Sequence, residues 1–332
     1  MVILGLETSC DETAAAVVAG GRRILSSLVA TQFELHAEYG GVVPELAARR
    51  HLENILPISQ AALAQAQVSL RELEGVAVTQ GPGLIGALVI GMAVAKSLAF
   101  VLRVPLVGVH HLEAHIAAIF LTERAPDFPF VALVVSGGHT NLYRVESFEQ
   151  MVLLSRSRDD AAGEAFDKVA KILGLSYPGG IAIERLAEEG RRDAVPLPRP
   201  KVAGEPLTFS FSGLKTAVAY LVKKHPEILQ EESRRADVAA SFQEVVVESL
   251  VSRAWQAMAL VGCRRLVVCG GVAANRRLRE VLAERAAEDG TELFLPPPSL
   301  CTDNAAMVAA LGFEHLRAGR RLPWNGDVFS RG

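Results

Sequence analysis

The sequence predicts an α/β protein of two similar halves, each with three short strands followed by alternating helices and strands. Three observations support this prediction. The chain has 332 residues, which is more than one core usually organises, and 50% of them are apolar. Strand-like and helix-like segments alternate, as is typical of α/β folds. The group of three strands occurs twice, starting near residues 2 and 131.

The first half opens with three strands. Short apolar runs separated by polar or glycine-containing turns predict antiparallel strands at Val2–Leu6, Ala14–Val18 and Ile24–Val29. Helical composition follows, with a proline near its start. The elements predicted next are a helix at Pro44–Gln67, a strand at Val76–Thr79, a helix at Leu84–Leu102 and a strand at Pro105–Val109, after which another helix begins.

The second half repeats this order and carries additional helices. Its three strands are predicted at Val131–Val135, His139–Val145 and Met151–Ser155. Helices are then predicted at Ala162–Leu173, Ile181–Glu189, Leu214–Lys224 and Ala236–Leu260. The closing elements are a strand at Leu266–Cys269, a helix at Asn275–Ala287, a strand at Glu292–Leu295 and a helix at Asn304–Arg317. The second half therefore contains a helical insertion.

The duplication predicts two domains. We place the first at residues 1–128, joined by the C-terminal segment 304–332, and the second at residues 129–303. Two such domains facing each other leave a central cleft, with the turns around Asp11 and Gly137 pointing into it. Clefts of this kind bind ligands, so we expect the functional site there.

Composition and charge narrow the class of protein. Apolar stretches are broken by Gly, Pro or charge, and the first residues lack the features of a secretory signal, so we expect a soluble, cytoplasmic protein. Four cysteines without C-x-x-C spacing predict neither a disulfide framework nor a zinc ribbon. A net charge of −3 argues against a chain-wide electrostatic interaction with nucleic acid, although local pairs of basic residues exist.

Two histidines are candidates for metal binding. At about 100° per residue, His111 and His115 lie about 40° apart on one helix face, where they can share a zinc or iron ion. Two histidines satisfied by hydrogen bonds are the alternative. Glu113 is displaced by about 200° from His111. A zinc peptidase, which uses a glutamate next to the first histidine as its base, would therefore lack that base.

Asp303 lies at the start of the last predicted helix. Aspartate is a common N-cap residue, so capping is one interpretation. A preorganised carboxylate can also complete a metal site of two histidines and one carboxylate. The separation along the sequence does not decide between these interpretations.

Two glycine-containing segments are candidates for nucleotide binding. Val134–Thr140 joins two strands through Gly-Gly, whose backbone N–H groups can approach an anion; a plain hairpin is the alternative. Val267–Arg276 combines a strand, a glycine pair and a helix start, an arrangement that binds nucleotides. There Asn275 meets a base or ribose, or caps the helix. Asp167 and Glu184, near two other helix starts, can bond ribose hydroxyls or remain solvated.

Taken together, the segments resemble the TsaD family, the tRNA N6-adenosine threonylcarbamoyltransferases, throughout the chain. The resemblance is carried by Gly5–Thr13, His36–Glu45, His111–His115, Ser136–Thr140, Gly163–Lys168, Phe209–Lys215, Gly270–Asn275 and Asp303. It implies the duplicated fold of actin, Hsp70 and sugar kinases (ASKHA, RNase H-like), with a central nucleotide-binding cleft. It also implies transfer of a threonylcarbamoyl group from threonylcarbamoyl-adenylate to N6 of the adenosine next to the anticodon, in tRNAs that read ANN codons, with release of AMP.

The resemblance implies roles for individual residues. His111, His115 and Asp303 would hold one divalent metal, iron(II) in the first place or zinc. The adenylate would be bound by Val134, Val135, Ser136, Gly137, Gly138, Asp167, Gly180, Glu184 and Asn275. Asp11, in the first turn, is our candidate for handling a proton or water near the phosphate. The spacing of Lys215 assigns it no role.

The resemblance also implies partners. Besides tRNA, these are a catalytically inert paralogue (TsaB-like) and a small ATPase (TsaE-like), with no membrane partner. A metallopeptidase, an ATPase of the same fold and a non-catalytic scaffold are the alternatives. An ATPase does not require a His–His–Asp site, and a scaffold predicts loss of ligands that this chain retains.

Overall fold

Two five-stranded mixed sheets organise the computed structural model, which describes residues 1–331 except 201 and 203. Each sheet belongs to one compact unit. Unit 1 comprises Met1–Ala125 and Thr302–Gly332, and unit 2 comprises Pro126–Cys301. Gly332, where the predicted C-terminal segment ends, lies outside the described residues.

The N-terminal part of unit 1 contains the predicted meander and the α/β elements after it. Its elements are β1 (Val2–Glu7), β2 (Glu12–Ala19), β3 (Arg23–Thr31), α1 (Phe33–Ala37), α2 (Pro44–Ala66), β4 (Gly75–Gly81), α3 (Ile85–Leu102), β5 (Leu106–His110) and α4 (His111–Ala117). The strand order is β3-β2-β1-β4-β5. Helix α1 is absent from the sequence prediction because five residues are too short to show a helical period.

Unit 2 repeats this topology. Its elements are β6 (Phe130–Val135), β7 (Thr140–Ser147), β8 (Gln150–Arg156), α5 (Ala162–Ile172), α6 (Gly179–Ala187), α7 (Ser212–Lys224), α8 (Glu232–Val261), β9 (Arg265–Cys269), α9 (Arg276–Asp289), β10 (Glu292–Phe294) and α10 (Pro298–Cys301). The order β10-β9-β6-β7-β8 is that of unit 1 written in reverse. In each unit the first strand pairs antiparallel with the second and parallel with the fourth. The predicted duplication is therefore confirmed.

The last helix, α11 (Ala305–Arg317), returns to unit 1 and packs on its sheet. The approach is close at Gly5, where an added Cβ would lie 2.3 Å from the backbone oxygen of Ala305. At Gly312 an added Cβ would lie 2.4 Å from the Cβ of Ala77. Glycine at both positions lets the helix and the sheet come together.

Strand direction positions the polar groups of unit 1. Strands β4 and β5 run parallel to β1, so all three end at the same edge of the sheet. The interior of the sheet is apolar, with Leu4, Leu6 and Val78 fully buried. Ligand sites of α/β sheets lie beyond the carboxyl ends of the strands. This edge carries Glu7 and the start of α4.

Helix α3 differs from the expectation that no apolar stretch of this chain reaches membrane-spanning length. Its 18 residues, with mean hydropathy 2.2, are long and apolar enough to cross a membrane by length and composition alone. The helix buries Leu88, Met92 and Ala95, and Met92 and Ala95 belong to the core of unit 1. Core helices share this composition, so it is weak evidence for a membrane span.

Candidate functional site

Helix α4 begins directly after β5 and presents His111 and His115 on one face. The two rings have centroids 4.8 Å apart, as the predicted spacing requires. Both side chains are buried, whereas Glu113 between them is partly exposed. Burial raises the pKa of the Glu113 carboxyl against the opposing attraction of Arg320. Its electrostatic partner is therefore an arginine.

Asp303 joins the two histidines although it is far from them in sequence. Its Oδ1 lies 3.1 Å from Nε2 of His115 and 3.6 Å from Nε2 of His111. One ligand atom from each of the three residues lies within 4.8 Å of the others. Two imidazoles and one carboxylate are a donor set suited to iron(II) or zinc. The arrangement therefore fits one metal ion.

The capping interpretation of Asp303 is wrong. Asn304 is the N-cap of α11, and its Oδ1 accepts a hydrogen bond from the backbone N–H of Met307 at 3.0 Å. Asn304 has the extended backbone of a capping residue, with φ −152° and ψ 153°. Asp303 precedes this cap, and its carboxylate lies against the two histidines instead.

Glu7 is a site residue that the sequence prediction does not single out. Its side chain is fully buried at the end of β1, and its Oε2 lies 3.1 Å from Nδ1 of His111. Thr79 donates a hydrogen bond of 2.6 Å to the same oxygen. A charged residue in an otherwise apolar strand is the sequence signal that could have indicated it, because buried carboxylates are rare unless they have partners.

The carboxylates perturb the charge states of their neighbours. Burial opposes the charged form of His111, but Asp303 and Glu7 outweigh it and raise its pKa to about 9. Burial alone would raise the pKa of Glu7, but the attraction of His111 holds it below its usual value. Burial, followed by repulsion from Asp303 and Asp11, raises the pKa of Glu12 to about 10. In the metal-free protein these effects favour the protonated form of Glu12.

Asp11 lies in the buried turn between β1 and β2. Its side chain is only 6% exposed, and its Oδ2 has no hydrogen-bond partner among the described residues. The same carboxylate interacts with the side chains of Glu12 and Cys10, and besides burial, the largest cause, these hydrogen bonds help to raise the pKa of both groups. The charges of Asp303 and Asp11 both act on Glu12, which places this turn within electrostatic range of the histidine cluster.

In unit 2 the predicted nucleotide-binding residues lie at one end of the sheet. Val134 and Val135 are buried at the end of β6, and Ser136 begins the turn that follows. The backbone oxygen of Ser136 accepts a hydrogen bond from Gly163 at the start of α5. Across the sheet, Gly270 has a φ of 91°, and its added Cβ would lie 2.4 Å from the backbone oxygen of Val135. Both glycine segments therefore meet at this edge.

Three polar residues connect the helices around this edge. Asp167 of α5 accepts a hydrogen bond of 2.8 Å from the backbone N–H of Gly179, the first residue of α6. Glu184 of α6 accepts one from the backbone N–H of Arg276, the first residue of α9. Asn275 caps α9 by accepting from Leu278. The capping interpretation of Asn275 is therefore confirmed, and neither carboxylate is merely solvated.

The glycines of this region border open space. A Cβ added at Gly137, Gly138, Gly180 or Gly271 would have no atom within 4 Å. The two turns and the start of α6 therefore leave backbone exposed next to the helix starts. Exposed backbone N–H groups at such positions suit an anion such as a phosphate.

Lys215, to which the spacing assigns no role, forms an ion pair. Its Nζ lies 2.8 Å from Oδ2 of Asp160, and Nζ of Lys168 lies 2.8 Å from Oδ1 of the same residue. Lys168 belongs to α5 and Lys215 to α7. The shared carboxylate therefore ties these two helices together.

The chain is similar over its length to proteins of one family. A sequence profile of TsaD, described as tRNA N6-adenosine threonylcarbamoyltransferase, matches residues 23–310. The protein of that name from Syntrophus aciditrophicus (strain SB) is 54% identical over 331 residues, which cover 100% of this chain and 97% of the relative. The one from Geobacter metallireducens is 57% identical over 320 residues, covering 96% and 93%.

Two solved structures share the fold. Full-length HypF, in a phosphate- and nucleotide-bound form, has a TM-score of 0.61 at 15% identity, covering 95% of this chain and 46% of HypF. Component A of the (R)-2-hydroxyglutaryl-CoA dehydratase of Acidaminococcus fermentans has a TM-score of 0.54 at 16% identity, covering 96% and 100%. At such identities the likeness concerns the fold alone, which is the predicted ASKHA fold.

Proposed function

The chain belongs to the tRNA N6-adenosine threonylcarbamoyltransferase family, and we propose on this premise which of its residues carry out the transfer. The protein is a transferase of t6A biosynthesis that places a threonylcarbamoyl group on N6 of adenosine in tRNA. The donor is threonylcarbamoyl-adenylate, and AMP is released. The observation that carries this assignment is identity above 50% over nearly the full length of the relatives.

The metal ligands in this proposal are His111, His115 and Asp303. Their mutual distances and the burial of both imidazoles support a site for one divalent ion. We assign iron(II) to it, with zinc as the alternative, because both accept two histidines and a carboxylate. When bound, such a metal supplies Lewis-acid polarisation of a carbonyl or phosphoryl oxygen.

The AMP part of the donor is assigned to unit 2. The backbone at Gly137, Gly138 and Gly180 borders open space, which suits the phosphate, and the buried residues Val134 and Val135, with Ser136, lead into the first of these turns. Asp167 and Glu184 are acceptors suited to ribose hydroxyls. Asn275, although it caps α9, completes the set at the start of that helix.

The transfer requires a proton acceptor. The N6 amine attacks the carbonyl carbon, the bond from that carbon to the phosphate oxygen breaks, and AMP leaves with the electron pair. N6 must also lose a proton. We assign its handling to Asp11, because this buried carboxylate is hydrogen-bonded to Glu12, a neighbouring acid whose pKa is raised, so that a proton can be shared between them. N6 is a weak nucleophile, so alignment of the amine with the carbonyl supplies the remaining rate acceleration.

Further partners belong to the same proposal. They are an inert paralogue (TsaB-like) and a small ATPase (TsaE-like), in the cytoplasm. Exposed apolar side chains on α3, such as Val89, Phe100 and Val101, support a protein partner on this helix. The four cysteines are free, which agrees with a reducing compartment.

The test is a transfer assay with threonylcarbamoyl-adenylate, unmodified tRNA and the partner proteins. Wild type is compared with His111→Ala, and with His225→Ala as a histidine control in unit 2. We expect modified nucleoside and bound metal from wild type and the control, and loss of both from His111→Ala. Equal product from all three would remove the metal from the reaction. The absence of product from wild type would refute the proposed transferase activity.

None of these observations supports a metallopeptidase, an ATPase of the same fold or a non-catalytic scaffold. Glu113 interacts with Arg320, which disfavours a peptidase base. The three residues whose loss a scaffold would predict are present and lie together.

A further inference from the structure

We propose that Glu7 is a positioning residue that orients His111 for metal binding. It holds the imidazole with Nδ1–H directed at its carboxylate, so that Nε2 is directed at the metal position. This inference rests on the metal site of the proposed function and deepens it by adding a residue that does not itself bind the metal.

Glu7 is held rigidly. Its Oε1 accepts a hydrogen bond from the backbone N–H of Ser9, and its Oε2 accepts one from the hydroxyl of Thr79 at 2.6 Å. Glu7 and Thr79 are both fully buried, on the neighbouring parallel strands β1 and β4. A carboxylate with both oxygens engaged and no room to move presents a fixed acceptor to the third group it meets, which is His111.

The contact with Glu7 determines the tautomer of His111. Both oxygens of Glu7 accept hydrogen bonds, from Ser9 and Thr79, so the 3.1 Å contact from Oε2 to Nδ1 is a hydrogen bond when Nδ1 carries the hydrogen. The hydroxyl of Ser9 also lies 3.3 Å from Nδ1, and it can act as donor or acceptor, so it does not oppose this choice. In the neutral ring the lone pair is then on Nε2, the atom 3.6 Å from Oδ1 of Asp303. This is the form in which an imidazole binds a metal.

The other histidine is held differently. Nε2 of His115 lies 3.1 Å from Oδ1 of Asp303, but its Nδ1 is buried without a hydrogen-bond partner among the described residues. Of the two histidines, His111 is therefore the one whose Nδ1 contacts a carboxylate. Loss of Glu7 should free one ligand and leave the other in place, which predicts weakened rather than abolished metal binding.

A purely structural role for Glu7 makes a different prediction. Glu7 joins β1 to β4 through Thr79, so its loss would lower stability whatever its effect on His111. A structural role would leave the metal affinity and the geometry of the bound metal unchanged. Metal affinity and the spectrum of a bound ion therefore separate the two roles, independently of transfer activity.

The experiment compares wild type with Glu7→Gln, which keeps the shape but replaces one acceptor oxygen by an N–H donor. Glu113→Gln makes the same chemical change on α4, outside the proposed network, and serves as the matched control. Metal-free proteins are titrated with Zn²⁺ against a chromophoric chelator, and the absorption spectrum of bound Co²⁺ is recorded. We expect Glu7→Gln to bind Zn²⁺ about 10–100-fold more weakly with an altered Co²⁺ spectrum, because outer-shell partners have effects of this size.

Thermal unfolding of the metal-free proteins checks that each variant is folded. If Glu7→Gln does not fold, Glu7→Asp replaces it, since this change keeps the charge but shortens the side chain and so withdraws the carboxylate from Nδ1 of His111. Wild-type affinity and spectrum in the folded variant would overturn the proposal. Failure of wild type itself to bind Zn²⁺ or Co²⁺ would instead refute the metal site of the proposed function, so the two failures are distinguishable.

Discussion

Single residues of unit 1 place an unusual amount of negative charge in a buried region. Glu7, Asp11 and Glu12 are all at most 9% exposed, and Asp303 lies close to the histidines. Neighbouring carboxylates cannot all ionise without a compensating charge. The two glutamates are affected in opposite ways: the attraction of His111 favours the ionised form of Glu7, whereas burial and the neighbouring carboxylates favour the protonated form of Glu12. Each carboxylate of this region therefore has its own electrostatic environment.

Replacing Asp11 by asparagine tests its assignment. Asp11→Asn keeps the size of the side chain but removes the carboxylate, so we expect transfer to fall by about 10²-fold or more, the typical contribution of a positioned acid or base. Bound metal should be retained, because Asp11 is not among the assigned ligands. The measurement is the single-turnover rate of nucleoside formation, with metal content determined on the same samples. An unchanged rate would withdraw the role of Asp11.

The raised pKa of Glu12 predicts how stability depends on pH. A carboxyl that keeps its proton in the folded state and ionises at about 4.5 when unfolded stabilises the fold most at low pH. That contribution is lost as pH rises from about 4.5 towards about 10. Glu12→Gln cannot ionise, so metal-free wild type should lose stability relative to the variant across this window, by at most about 1.4 kcal/mol per pH unit.

Urea unfolding of both proteins at several pH values between 5 and 9 measures this difference. Parallel curves of unfolding free energy against pH would show that Glu12 is ionised in the folded protein, contrary to the expectation.

At the scale of elements, helix starts connect the parts of each unit. In unit 2, backbone N–H groups at the starts of α6 and α9 are bonded by side chains of neighbouring helices, Asp167 and Glu184. In unit 1, the N-cap at Asn304 leaves Asp303 directed at the histidines of α4. Unsatisfied N–H groups of a first turn need such partners. The positions of the helix starts therefore determine where these polar side chains lie.

The cap of α9 can be tested by Asn275→Ala. Asn275 is buried, accepts from Leu278 and donates to Gln243 at 2.8 Å, so its loss leaves an N–H and a side-chain oxygen without partners. We expect a destabilisation of about 1–2 kcal/mol, the usual value for a lost N-cap. Asn275→Ser retains a capping oxygen and should lose less. Denaturant unfolding checks both, and an alanine variant as stable as the serine variant would contradict the capping role.

At the scale of the whole molecule, unit 1 is assembled from both ends of the chain. Helix α11 follows unit 2 in sequence, yet it packs on β1, the first strand. The contact needs a residue without a side chain at Gly5, beside Ala305 and Ala309. The same helix begins two residues after Asp303. Folding of unit 1 and assembly of its histidine cluster therefore depend on the long-range packing of α11 against the strands of this sheet and against α4.

Gly5→Ala tests this dependence. The new methyl group would overlap the backbone of α11, so we expect a destabilisation of about 1–3 kcal/mol or more, the range for overpacked sites. Weaker metal binding should accompany it, because α11 carries Asp303 at its start. Gly213→Ala is the control, since its added Cβ meets no atom within 4 Å and alanine favours a helix. Thermal unfolding and Zn²⁺ titration measure both effects, and equal stability of the two variants would contradict this expectation.

Much of the fold can be predicted from the sequence because it is encoded locally. Alternation of apolar and polar residues gives the strands of both meanders, and the helical period places His111 and His115 on one face of α4. Predicted and observed boundaries differ by a few residues, as for the helix predicted at Ala236–Leu260 and found at Glu232–Val261. Short elements such as α1 carry too few residues to show a period.

The sequence by itself determined the duplicated α/β order, the histidine pair and, through resemblance, the family. Only the tertiary structure decided which distant groups meet: that Asp303 joins His115, that Glu7 contacts His111, and that Asp160 pairs with Lys215. Periodicity describes neighbours within a few turns of the chain, whereas these contacts join residues separated by 55 to 188 positions. They arise from the packing of whole elements, which brings distant polar groups together where parallel strands end and helices begin.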